Sequence, residues 1–97
     1  MTVHVRWTTL AARALLTIQD YIARENPRAA FEFVQRIRVA VDELKDHPRM
    51  GREGRVRGIY ELVIHGNPYV VPYRIKGKEI QIPSVYHTSR KWPESFE

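Results

Sequence analysis

The chain has 97 residues, 43% of them hydrophobic and 28% charged, a globular composition that excludes a disordered polymer and leaves room for one domain, residues 1–97, built on one modest core. It contains no cysteine, which removes disulfides, thiolate zinc sites and cysteine nucleophiles together and suits a reducing cytoplasm. Sixteen Lys and Arg against eleven Asp and Glu give a formal charge of +5, with arginine preferred over lysine, so an anionic partner (RNA, DNA or an acidic protein) is expected unless the excess serves solubility alone.

Residues 1–7 alternate polar and apolar side chains, with Val3, Val5 and Trp7 on one side and His4 and Arg6 on the other. That is the period of a half-buried strand and not of a secretion signal. No window approaches the ~18 apolar residues of a membrane span, so the chain is expected to stay off the membrane and in the cytoplasm. Thr8 or Thr9 offers an N-cap, and Ala11, Ala14, Leu15, Ile18, Tyr21 and Ile22 recur at helical spacing to about Arg24. Asn26-Pro27 marks a second start, because asparagine caps a helix whose first residue has no N–H to lose. This helix carries Ala30, Phe33, Val34, Ile37, Val41 and Leu44 on one stripe and stops before His47-Pro48. So short a link makes the two helices an antiparallel hairpin.

Residues 45–58 lose all periodicity and hold three glycines and four arginines, the composition of a loop. A two-residue period then returns in Tyr60, Leu62 and Ile64, in Tyr69, Val71, Tyr73 and Ile75, and in Ile80 and Ile82. Gly66-Asn67-Pro68 and Lys76-Gly77-Lys78 separate these runs as turns, so the segment reads as a three-stranded antiparallel meander. Pro72 and Pro83 cannot donate to a ladder; one strand must therefore be irregular, and a central one would carry a bulge at Pro72. The expected class is α+β in the order β-α-α-β-β-β. The hairpin covers one face of a mostly antiparallel four-stranded sheet, and the other face, with the loop and the C-terminus, is left for a target.

Chemistry-bearing residues are few. His4, His47, His65 and His87 are dispersed, so no metal site is expected. Phosphate-cradling, dinucleotide and Ser-His-Asp signatures are missing, and no cofactor is expected. Arg52, Arg55 and Arg57 in the loop, with Arg74 and Arg90 further on, make a candidate target- or phosphate-binding patch, for which a solvated surface is the plainer reading. His87 reads either as an acid or base or as a strand-ending residue that touches a turn or a partner. Trp7, Trp92 and the meander tyrosines read as core or rim.

Four runs, in order and over nearly the whole chain, carry a resemblance: residues 21–27 at the helix joint, Gly51-Arg52-Glu53-Gly54-Arg55-Val56 in the loop, Pro68-Tyr69-Val70-Val71-Pro72-Tyr73-Arg74-Ile75 in the meander, and residues 85–93 at the C-terminus. Together they resemble the RelE/ParE toxin superfamily of type II toxin-antitoxin systems. The resemblance implies a cognate antitoxin whose acidic, amphipathic segment folds on the toxin, with oligomers forming only through that complex. It also implies one of two targets: DNA gyrase, poisoned by ParE-like members, or mRNA on the translating ribosome, cut without metal by RelE-like members that use lysines, arginines and a tyrosine on the sheet face. In register with that set, Glu61 and Val63 stand where the catalytic lysines would fall, Val70 replaces an arginine, and Pro83-Ser84 replaces a frequent Leu-Arg. The favoured expectation is therefore a gyrase-directed toxin that acts by binding. The alternative, an endoribonuclease, takes His87 as acid or base and Arg74 and Arg90 as phosphate clamps. A third is a toxin-derived protein that has lost toxicity and persists as an antitoxin- or DNA-binding partner.

Overall fold

In the computed structural model, which describes residues 3–66 and 68–89, the elements run β1 (His4–Trp7), α1 (Thr9–Ala23), α2 (Pro27–Glu43), β2 (Arg52–Glu53), β3 (Tyr60–Val63), β4 (Tyr69–Lys76), β5 (Glu79–Ile82) and β6 (Tyr86–His87). Arg90, Trp92 and the turn residue Asn67, all named above, lie outside the described residues.

Both helix starts follow from their caps. The Thr8 hydroxyl oxygen accepts from the Ala11 N–H at 3.0 Å and donates to the Ile82 carbonyl at 2.9 Å, so one side chain starts α1 and ties it to the end of β5. Asn26 Oδ1 accepts from the Ala29 N–H at 3.1 Å, with Pro27 opening α2. The second helix buries Ala30, Phe33, Val34, Ile37 and Val41, and Leu44 just beyond it, as its spacing requires. On α1 only Ala11 is fully buried; Ala14, Leu15, Ile18 and Ile22 pack half-buried against the core. Tyr21, expected on that stripe, is instead 68% exposed.

The sheet has six strands in the order β1-β5-β4-β3-β2, with β6 pairing β4. It differs from the expected four-stranded sheet through two short strands that periodicity cannot reveal, β2 inside the loop and β6 after Pro83. It is mixed: β1 runs parallel to β5, and the remaining pairs are antiparallel. Pro72 makes no bulge against β3, where the ladder from Tyr60↔Tyr73 to Val63↔Val70 is unbroken. The irregularity falls on the other edge of β4. Extending the β4–β5 register by two residues would set Pro72 opposite Pro83; neither can donate, and pairing resumes only at Val70↔Tyr86, one residue out of step. The last strand is thereby split into β5 and β6.

Alternation assigns the two faces. Val5, Trp7, Leu62, Ile64, Val71, Tyr73, Ile80 and Ile82 join the helices in the main core. Their neighbours in the strands, including Arg6, Glu61, Val70, Arg74, Lys76 and Gln81, fall on the opposite, open face. A second, smaller cluster forms there as Val56 and Ile59 of the loop close over Val70, with Tyr86 beside them.

Candidate functional site

The basic loop is fastened to the open face by a buried carboxylate. Glu61, opposite Arg52 in the β2–β3 pair, has a side chain only 3% exposed. Its Oε1 accepts from Arg52 Nη2 at 3.1 Å, and its Oε2 accepts from the Arg55 backbone N–H at 2.8 Å and from Arg55 Nε at 3.3 Å. Burial by itself would raise the carboxyl pKa; the Arg55 N–H, the Arg52 hydrogen bond and the two guanidinium charges together outweigh it and hold Glu61 below its ordinary value. The glycines of the loop allow this approach. A Cβ on Gly54 would come within 2.7 Å of the Ile59 carbonyl and 2.9 Å of Glu61 Cγ, and one on Gly51 within 2.7 Å of the Tyr73 hydroxyl. That hydroxyl accepts from the Gly51 N–H and donates to the Pro48 carbonyl, both at 2.8 Å. Burial raises the Tyr73 pKa, which keeps the phenol a donor. Tyr60 stacks on Tyr73 with ring centres 5.5 Å apart and accepts from Arg49 Nη1 at 2.7 Å.

Of the arginines singled out in the sequence, Arg52, Arg55 and Arg74 therefore share the open face, and Arg57 is exposed at the loop tip. Arg52 and Arg55 converge on Glu61 and spend part of their donor capacity inside the molecule. Arg74 Nε donates to Gln81 Oε1 at 2.7 Å, Gln81 Nε2 donates to Glu79 Oε1 at 2.7 Å, and Arg6 Nη1 stands 3.8 Å from the same Glu79 oxygen. This polar chain across β4, β5 and β1 adds Arg6 to the patch. Sequence reasoning had Arg6 on the polar side of its strand but could not see that a parallel pairing with β5 places it level with Gln81.

His87 lies on the other side of the sheet. It pairs in register with Tyr69, whose ring meets Phe33 of α2 edge-on at 5.2 Å and the imidazole at 5.3 Å. The sheet thus stands between His87 and Arg74, and the two are also separated by five residues' length of β4, about 16 Å. They do not share a phosphate-sized site. On its own side His87 borders a large groove of about 1460 Å³ lined by both helices and by residues 84–87. Leu10, Ile18, Tyr21 and Phe33 supply apolar walls, while Arg13 and Arg36 bring two positive charges against the single carboxylate of Glu32. Nothing in the sequence announced this groove, although the exposure of Leu10 and Tyr21 is its consequence. Among the described residues no three metal-ligating side chains gather, and no helix is long and apolar enough to cross a membrane.

The chain is similar to known proteins along nearly its whole length. It is 42% identical to the putative toxin Y4kP of Sinorhizobium fredii over 93% of both chains, and 34% identical to toxin RelE2 of Caulobacter vibrioides over 89% of this chain and 96% of that one. Among solved structures, the chromosomal ParDE TA system from P. aeruginosa superposes with a TM-score of 0.81 at 32% identity, covering 91% of this chain and 98% of that one. The toxin-antitoxin complex RelBE2 from Mycobacterium tuberculosis superposes with a TM-score of 0.56 at 26% identity, covering 90% of this chain and 99% of that one. The model of the ParE toxin of the type II toxin-antitoxin system parDE matches residues 5–92, and the chain belongs to that family, a toxin of the RelE/ParE superfamily.

Proposed function

We propose that this toxin arrests growth in the cytoplasm by binding DNA gyrase through its open sheet face and basic loop, and that a cognate antitoxin neutralises it by laying an acidic, amphipathic segment into the groove between the helices and β6. The observation that carries the choice of target is the separation of His87 from Arg74 by the sheet. Metal-free RNA cleavage needs a proton donor or acceptor and phosphate-stabilising cations around one scissile bond. Here the imidazole and the strand arginine face opposite ways, and where the ribonuclease branch would carry a lysine, Glu61 presents a carboxylate already held by two arginines. What remains on the open face is a binding surface of guanidinium groups on a rigid sheet, suited to holding an acidic protein surface.

Induced expression without antitoxin, scored in parallel for DNA breaks and for translation arrest, tests this. Gyrase-dependent breaks with intact translation, and inhibition of supercoiling by purified gyrase, are expected. mRNA fragments on ribosomes that vanish in His87→Ala would overturn it in favour of the endoribonuclease.

A further inference from the structure

Two guanidinium groups side by side repel, and each ordinarily swings on a long, rotamer-rich side chain. Arg52 and Arg55 are held together by the carboxylate between them. Arg52 Nη2 donates to Glu61 Oε1 at 3.1 Å and Arg55 Nε donates to Glu61 Oε2 at 3.3 Å. The two groups therefore meet opposite oxygens of one carboxylate and stand within a few ångströms of each other. The Glu61 side chain is 3% exposed, whereas those of Arg52 and Arg55 are 60% and 41% exposed, so the acid is the floor and the two cations are the rim. The floor is fixed in its turn: Oε2 also accepts the Arg55 backbone N–H at 2.8 Å, and Gly54 leaves room for the Glu61 stem, where a Cβ would come within 2.9 Å of Cγ. The three side chains together keep a net positive charge.

The geometry points to Arg52 and Arg55, yoked by Glu61, as a single preformed seat for one carboxylate side chain of the toxin's protein target, with Glu61 as its positioning residue. This rests on the open face being the surface that grips gyrase. A guanidinium that Glu61 already holds loses less freedom on binding than one that its partner must order, and a carboxylate is the planar acceptor that its fork matches. The neighbour on β3 favours a protein over a nucleic-acid backbone. Val63, two residues beyond Glu61 and so on the same face, is 51% exposed. An acidic protein surface brings apolar side chains to cover that valine, whereas a phosphate chain would lay charge against it. The sign of the effect of Glu61 follows. A merely basic patch binds an anion more tightly once an acid is removed from it. A yoked seat binds it less tightly, because the two guanidinium groups lose what holds them side by side.

The test is inhibition of supercoiling by purified gyrase, at a temperature where circular dichroism shows every variant folded. Arg52→Ala and Arg55→Ala should each raise the inhibitory concentration about tenfold, the size of a lost hydrogen bond between charged groups. The double variant should be little worse than either, since the seat works as a unit. Glu61→Gln makes the face more positive and should nevertheless raise the inhibitory concentration about tenfold. It should add nothing in the Arg52→Ala/Arg55→Ala background, where a loop that was merely loosened would go on losing potency. Glu61→Gln that inhibits as well as the wild type, or better, refutes the yoke. A second readout needs no gyrase: the Arg52 and Arg55 Nε–H signals of the free toxin should shift together on titration with the peptide hexaglutamate, at about tenfold higher concentration in Glu61→Gln. If the toxin leaves gyrase untouched but binds hexaglutamate in this way, the gyrase reading fails and the seat stands, with another acidic protein as its target. If gyrase is inhibited alike by the wild type and all these variants, the gyrase reading stands and the seat is refuted. Shifts with a short RNA and none with hexaglutamate would put a phosphate in place of the carboxylate and overturn the assignment.

Discussion

Replacing Glu61 by glutamine keeps the shape of the side chain and changes one acceptor oxygen into a donor. Three hydrogen bonds converge on the carboxylate, at 2.8, 3.1 and 3.3 Å, and no orientation of an amide can accept all of them. Arg52 and Arg55 are 60% and 41% exposed, so water takes over much of what they lose and their ion pairs count for little, about 0.2–1 kcal/mol each. An amide oxygen in the place of Oε2 still accepts the Arg55 N–H, so what is lost there is the charge assistance of a bond made inside the fold, about 1 kcal/mol. The expected cost of Glu61→Gln is thus about 2 kcal/mol, which in a domain of this size lowers the melting temperature by about 8 to 16 °C. The pH dependence has a definite sign. Glu61 has a lowered pKa in the folded chain, so its contribution is complete above the ordinary carboxylate range, near pH 4.3, and is lost as pH falls through the lower folded value. Urea unfolding followed by circular dichroism at about pH 7 and about pH 3 should show a wide gap between wild type and Glu61→Gln at neutral pH and a narrower one in acid. Equal midpoints at neutral pH, or a gap that does not shrink in acid, would refute the idea that this carboxylate fastens the loop.

Tyr73→Phe removes the hydroxyl that bridges the Gly51 N–H and the Pro48 carbonyl; about 1–3 kcal/mol should be lost, with faster hydrogen exchange at the Gly51 amide as the local readout. Asn26→Ala removes the cap of α2 and should cost about 1 kcal/mol without changing antitoxin affinity, measurable by urea midpoint. Arg74→Glu reverses charge on the open face and should abolish growth inhibition while antitoxin binding in the groove persists; loss of both together would mean that the two faces do not act separately.

The helices were legible because their signals are local. A capping asparagine before a proline and a stripe repeating at three and four residues act within one element, and α2 follows both. The strand runs of the meander were legible for the same reason. What the sequence hid is set by pairs distant along the chain. The β1–β5 pairing joins residues 75 apart, and β2 and β6 are two residues each, too short for a period to show. The arginine count was readable, but its use was not. Glu61 looked like a substitution at a catalytic position, and only the register opposite Arg52 turns it into the group that consumes part of two arginines' hydrogen bonding. His87 could be singled out by its chemistry, yet the face it occupies depends on pairing with Tyr69, which no local pattern encodes.

Both proposed surfaces hang on the register of one strand. Along β4, Tyr69, Val71 and Tyr73 turn toward the helices and Val70, Pro72 and Arg74 turn away, so a slip of one residue against β3 would exchange the groove floor for the basic face. Pro72 opposes that slip. Because it has no N–H, its pair with Glu61 must be one that exchanges no ladder bonds, leaving Tyr60↔Tyr73 and Leu62↔Val71 as the bonded pairs. The proline nitrogen then points to the opposite edge, where β5 has ended and β6 has not begun. Slipping β4 by one residue would turn that nitrogen toward β3, cost a ladder bond, bury Arg74 under the helices and pull Tyr73 from Gly51. The proline that looked like a defect in a central strand is thus what holds the groove and the arginine face on opposite sides of the sheet.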